Sequence, residues 1–270
     1  PGAGKTRFLI NHIKNIIYKS KRLSKIRKIA CITYTNVGVD TIIKRLEGLN
    51  YFVEVSTIHS FLYKNIVKPY LWVLSEEYDF NFEKIKGHDE IAPSYSILNE
   101  WVRSTKQVHL IQGVNLKKTS QEIQKITWKL DGSGNPILCF PESWQGKVGN
   151  YFIKKDSLMK YKQICWSKGM IHHDDILFLS LKILEKKARI TDILRAKFPY
   201  IMIDEFQDTQ LIQSKIIKLI AEKETIVGVI GDARQSIYGF AGARVEEFIN
   251  FDLDGIRKFN IEENNRSTVE

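Results

Sequence analysis

No apolar run in the sequence approaches the ~18 consecutive residues that a membrane-spanning helix needs. The most apolar stretches, Ile226 to Ile230 and Ile176 to Leu179, are no longer than a strand or a helical turn, so the chain is not expected to cross a bilayer. Cysteine is scarce as well. Cys31, Cys139 and Cys165 form an odd set whose spacing matches neither a disulfide framework nor a zinc pattern, which excludes a disulfide-stapled secreted domain and points to a reducing, cytoplasmic setting. Glycine (16) and proline (6) are ordinary for 270 residues, and 43% hydrophobic with 27% charged residues excludes collagen-like or wholly disordered structure. The least ordinary absence is of acids: residues 1–39 contain none.

What stands in that acid-free stretch is basic, including the run Lys19, Lys21, Arg22, Lys25, Arg27 and Lys28. Such runs are commonly a solvated face. A second bias covers residues 101–170, where 12 Lys and Arg face 4 acids, interleaved with Trp101, Trp128, Trp144, Tyr151, Phe152, Tyr161 and Trp166. With 41 basic against 31 acidic residues, a net charge of +10, clustered cations among aromatics make nucleic acid the leading candidate partner.

The sequence opens on Pro1-Gly2-Ala3-Gly4-Lys5-Thr6, the latter part of a G-x-x-x-x-G-K-[ST] phosphate loop, so the chain is expected to be a fragment that begins inside the motif. In such a loop Gly2 and Gly4 let backbone N–H groups turn toward phosphate oxygens, Lys5 reaches the β- and γ-phosphates, and the Thr6 hydroxyl ligates Mg²⁺. Phe8, Leu9, Ile13, Ile16 and Ile17 then recur near a 3.6-residue period, predicting a helix over 7–20 that starts at the phosphate. Short β-branched runs at 28–33, 52–55, 200–203 and 225–230 alternate with helical patterns such as 40–46 and 209–221. That rhythm predicts an α/β domain with a buried parallel sheet. It lapses between about 63 and 168, which reads as a mostly helical insertion, with 131–141 as a loop. The strand at Ile201-Met202-Ile203 ends in Asp204-Glu205, an acidic strand end that suits a phosphate loop: one carboxylate for Mg²⁺, the next for water.

Six collinear segments then become specific. Pro1 to Thr6, CITYTN at 31–36, STIHSF at 56–61, DEFQDT at 204–209, GDARQSIYGFAGA at 231–243 and IEENNRST at 261–268 resemble, in order and spacing, the motifs of the UvrD/Rep/PcrA family of superfamily 1 DNA helicases. The segment 170–177 also resembles the stretch that leads into the family's acidic motif. The resemblance implies a RecA-like P-loop NTPase core over 1–62 and 169–270, the first motor domain of the family, split by the insertion at 63–168. A second motor domain is expected to be missing from the chain, leaving the fragment weakly active or inactive alone. It implies an ATP hydrolase acting as a DNA helicase or translocase, with ATP and Mg²⁺ as cofactors, single-stranded DNA and single-strand/duplex junctions as partners, and 3′–5′ movement in repair or phage defence, with a possible nuclease, repair or defence partner. Glu205 is then the catalytic base, Asp204 the Mg²⁺ ligand with Thr6, and Gln207 and Gln235 are sensors of the γ-phosphate and its water. Arg266 contacts that phosphate, and Arg7 flanks the nucleotide. Tyr34, Tyr238 and Phe240 stack bases, while Thr35, Asn36, Thr57 and His59 contact the phosphodiester backbone. An alternative is a nucleic-acid-binding regulatory or defence module whose ATP site acts as a switch without processive unwinding.

The sequence departs from the family pattern in three places. Ala241 stands where motif III usually has Arg, Val37 follows Asn36 where a Lys is usual, and Asn265 replaces a Tyr. Together these suggest a divergent branch. His172-His173-Asp174-Asp175 offers metal-ligand residue types, but adjacent side chains diverge and no second cluster accompanies them, so a helix N-terminus is the expected reading.

Overall fold

The computed structural model describes residues 4–88, 92–141, 146–233 and 248–261. At its start Gly4 has φ 70°, in the left-handed region that favours glycine, and from there helix α1 (Lys5–Lys19) departs. Leu9, Ile10 and Ile13 recur on one buried stripe of α1. Strand β1 (Ile29–Thr33) follows with all five residues buried, as expected of a strand covered on both faces. Helix α2 (Asn36–Arg45) is capped by Thr35, whose hydroxyl accepts from the Gly38 N–H at 3.0 Å. This cap starts the helix four residues before the apolar period that announced it. Strand β2 (Val53–Thr57) runs two residues beyond its apolar stretch and leads straight into α3 (Ile58–Leu62).

The chain forms two compact units, Pro1–Asn65 with Leu184–Glu270, and Ile66–Ile183. The second unit contains the short helix α4 (Lys68–Tyr70), α5 (Tyr95–Ser104) and α6 (Asn115–Ile123), then two antiparallel hairpins, β3 (Thr127–Leu130) with β4 (Pro136–Cys139) and β5 (Lys147–Val148) with β6 (Tyr151–Phe152), and then α7 (Leu158–Ser167). The reading of 131–141 as a loop therefore needs correcting: 131–135 is a hairpin turn, with Asp131 accepting from the Ser133 and Asn135 N–H groups, and 136–139 is a strand. Helix α8 (Asp175–Lys186) begins at the second Asp of the His-His-Asp-Asp run, in keeping with its reading as a helix start.

The aromatic and basic residues of 101–170 also divide. Trp101, Trp128, Tyr161 and Trp166 are core residues, not surface platforms. Lys162 is only 2% exposed and pairs with Asp175 at 2.8 Å. Asp175 also accepts from the Trp128 and Trp166 indole N–H groups, each at 3.0 Å, and from the His172 N–H. The Trp128 and Trp166 indoles thus satisfy an interior carboxylate, while the Trp101 indole donates to the Ser157 carbonyl at 2.9 Å.

The first unit resumes with α9 (Ala188–Lys197), β7 (Tyr200–Ile203), α10 (Leu211–Ala221) and β8 (Ile226–Val229). Its four strands lie in the order β2-β1-β7-β8, all parallel, with Ile29 opposite Val53 on one side and Tyr200 on the other. Ile29 and Cys31 pack with Leu9, Ile13, Ile42 and Leu46 from α1 and α2. The alternate residues Ala30 and Ile32 point to the opposite face. Because every strand runs the same way, the turns that follow β1, β2, β7 and β8 all emerge at one edge of the sheet.

Candidate functional site

At that edge the motif residues converge. The Thr6 hydroxyl, in the first turn of α1, donates to Asp204 Oδ2 at 3.3 Å. Asp204 follows β7 directly, and its N–H donates to the Ile32 carbonyl, which extends the sheet pairing by one residue and sets its carboxyl beside α1. Burial, and after it the neighbouring Glu205 carboxylate, push the Asp204 pKa above the usual carboxylate range despite Thr6 and Lys5 nearby. A buried oxygen ligand with that need for positive charge, next to a hydroxyl, fits a hard divalent cation such as Mg²⁺.

Glu205 has φ 53°, ψ 41°. A non-glycine residue there costs about 1–2 kcal/mol, and such outliers cluster where geometry serves chemistry. The turn sets the Glu205 side chain beside the start of α1, with Oε2 4.0 Å from Lys5 Nζ. Gln207, almost fully buried, donates its amide to Glu205 Oε2 at 2.7 Å, and its Oε1 accepts from the Asp232 N–H at 2.9 Å. The Asp232 carboxylate closes the circuit at 3.8 Å from Lys5 Nζ. A Cβ at Gly231 would lie 2.6 Å from Gln207 Oε1 and 3.1 Å from the Phe248 ring, so this position must be glycine for the amide to sit where it does. Asp232, given no role in the sequence reading, joins the ring here; the Gly231-Asp232 pair follows β8 after Ile230.

Of the other expected residues, Arg7 is exposed on the first turn of α1. Thr35 and Thr57 are the N-caps of α2 and α3, the Thr57 hydroxyl oxygen accepting from the Ser60 N–H at 3.4 Å. Because Thr33 is paired with Thr57, these two helix N-termini stand side by side at the strand ends. Thr35 and Asn36 are exposed, and Tyr34, Thr57 and His59 are half-buried. Tyr34 also lines a small cleft with Ile58, Glu205, Phe206 and Gln213. Open N–H groups at a helix start suit an anion. Gly2, Gln235, Tyr238, Phe240, Ala241, Asn265 and Arg266 lie outside the described residues. Among the described residues no group of three or more His, Cys, Asp or Glu side chains forms a separate metal site, and no helix is long and apolar enough to cross a membrane.

Residues 1–255 match the family described as UvrD/REP helicase N-terminal domain. The chain is 26% identical to the ATP-dependent DNA helicase Rep of Buchnera aphidicola subsp. Baizongia pistaciae, over 99% of this chain and 38% of that protein. It is 25% identical to the ATP-dependent DNA helicase PcrA of Bacillus subtilis, over 99% of this chain and 35% of that protein. It is 28% identical to the Gabija protein GajB of Bacillus cereus, over 88% of this chain and 40% of that protein. The chain thus spans about two fifths, or less, of the length of these relatives.

Proposed function

Because the chain belongs to the UvrD/REP helicase N-terminal domain family, with its RecA-like P-loop fold, we propose that it is the ATP-hydrolysing motor domain of a DNA helicase or translocase that moves on single-stranded DNA. The observation that carries this reading is the polar ring Lys5–Glu205–Gln207–Asp232 standing next to the Thr6–Asp204 pair.

Each member then has a task. Thr6 and Asp204 would hold a Mg²⁺, which would supply charge neutralisation at the nucleotide's phosphates. Lys5 exchanges its two carboxylate neighbours for those phosphates. Gln207 ties down Glu205 Oε2 and leaves Oε1, which has no partner among the described residues, to take the proton of the attacking water. Gln235 and Arg266 complete the γ-phosphate contacts in this reading. DNA lies along the other half of the same edge, with Thr35, Asn36, Thr57 and His59 on phosphodiesters and Tyr34 stacking a base; Tyr238 and Phe240, outside the described residues, are assigned base stacking in this reading. The core comprises 1–62 and 169–270 and the insertion 63–168. Movement is 3′–5′, at single-strand/duplex junctions, in DNA repair or phage defence.

The test is ATP hydrolysis by the whole protein, not the chain alone, with and without single-stranded DNA. Wild type is stimulated by DNA. Lys5→Ala loses nucleotide binding, and Glu205→Gln keeps binding while turnover falls by a factor on the order of 10²–10⁴. Wild-type turnover in Glu205→Gln rules out this carboxylate as the base. Binding of nucleotide with no turnover in wild type favours an ATP switch over a motor.

A further inference from the structure

With the large rings of the second unit assigned to its core, exposed aromatics and lysines still coincide at the hairpin of β5 and β6. Lys147 pairs with Phe152 and Val148 with Tyr151 across a Gly149-Asn150 turn. Val148 is fully buried and anchors the hairpin to the unit's core. Tyr151 and Phe152 remain 47% and 53% exposed. As neighbours on a strand they face opposite sides, and each has a nitrogen base beside it: the His109 ring is 4.3 Å from that of Tyr151, and Lys147 Nζ is 5.8 Å from the Phe152 ring centre. Lys154 and Lys155, also exposed, follow at once. Between 147 and 160 four lysines meet a single acid, Asp156.

Scattered exposed aromatics need no explanation, but here Lys147 stands over the Phe152 ring and the exposed Lys154 and Lys155 follow two residues on. Protein interfaces deplete lysine from their cores, which disfavours a protein partner. A duplex hides the faces of its bases, whereas a single strand offers a face to every ring and a phosphate to every cation. We propose that the β5–β6 hairpin is a platform for single-stranded nucleic acid, on whose Lys147–Phe152 face an unpaired base stacks against Phe152 while Lys147, Lys154 and Lys155 hold the phosphates. This deepens the reading of the chain as a DNA motor and rests on it for the identity of the polymer, yet uses none of the residues assigned above to nucleotide or DNA.

The experiment is fluorescence anisotropy of a labelled oligothymidylate with the full chain across a salt series. Phe152→Ala weakens binding about 5- to 150-fold, from the ~1–3 kcal/mol of one stacked base, and Phe152→Trp retains it. The Lys147→Glu/Lys154→Glu/Lys155→Glu variant lowers the log–log salt slope by ~0.7 for each lost contact, ~2 in all. Oligothymidylate carrying 5-iodouracil crosslinks to the peptide containing Tyr151 and Phe152, a readout on wild type that does not depend on how the variants fold. Unchanged affinity, unchanged slope and no crosslink, with Thr35→Asp still weakening binding, overturn the platform and leave the motor reading in place. No binding by wild type overturns both. Variants that lose binding to phosphatidylserine vesicles but not to oligothymidylate overturn it in favour of a membrane surface.

Discussion

Gln207 donates its amide to Glu205 Oε2 at 2.7 Å while its own oxygen accepts from the Asp232 N–H at 2.9 Å. One buried amide therefore decides which oxygen of the half-exposed carboxylate faces outward, and it is itself held by the turn after β8. Gln207→Ala is expected to lower ATP turnover by ~10- to 100-fold, less than loss of the base itself, with little change in nucleotide affinity. Gly231→Ala, which drives a methyl into the same amide, is expected to do likewise. Steady-state kinetics separate the two parameters, and a rise in KM at constant kcat contradicts a positioning role.

The left-handed backbone at Glu205 predicts a trade between stability and turnover. Glu205→Gly and Glu205→Ala both lose the carboxylate, but only glycine relieves the conformation. The glycine variant is expected to unfold at higher denaturant than the alanine variant, by ~1 kcal/mol. Equal midpoints mean the turn relaxes in solution.

Asp175 predicts a response to acid. Burial alone raises its pKa, but the Lys162 ammonium and His172 outweigh it and hold the carboxyl far below the usual range. The stabilisation is then fully present above the ordinary Asp pKa of about 3.9 and is lost as the pH falls through the depressed folded value. Asp175→Asn, which leaves Lys162 buried without its counter-charge, is expected to cost ~3–5 kcal/mol near neutral pH. That gap narrows when urea unfolding is measured below about pH 3.9. A gap independent of pH means that the charge is not what the core uses.

Thr35 separates a cap from a ligand. Thr35→Ala is expected to cost ~1 kcal/mol by exposing the start of α2. Thr35→Asp preserves the cap and sets an anion against any phosphodiester there, so stability holds while affinity for single-stranded DNA falls. Undiminished affinity in Thr35→Asp removes DNA from this helix start.

Much of this was legible because a parallel strand covered by helices reads as an unbroken apolar or β-branched run bounded by helical patterns: β1, β7 and β8 lie within such runs, although β8 is only partly buried. The start of α2 was missed because a threonine cap, not an apolar residue, sets it. The hairpins of the second unit were missed because strands of two to four residues are too short to show alternation. At the site, Lys5, Thr6, Asp204 and Glu205 could be named from spacing. The closure of the ring through Asp232 could not, since it depends on the placement of β8 beside β7. Composition misled over Lys162, Trp101, Trp128 and Trp166, for counting residues cannot tell a cation that meets solvent from one that meets an interior aspartate.

The parallel neighbours of β1 also set an order of assembly. β2 follows it closely in the chain, but β7 arrives only after the whole of the second unit, and Thr6 meets Asp204 across 198 positions. On a ribosome, residues 66–183 are complete before β7 emerges, so the interrupting unit has the opportunity to fold first and to shorten the effective loop that the sheet must close. The nucleotide site is then among the last features to form. Its formation reports completion of a slow, non-local sheet, and on the proposed reading a nucleotide that binds only the finished edge would act as a late clamp on folding.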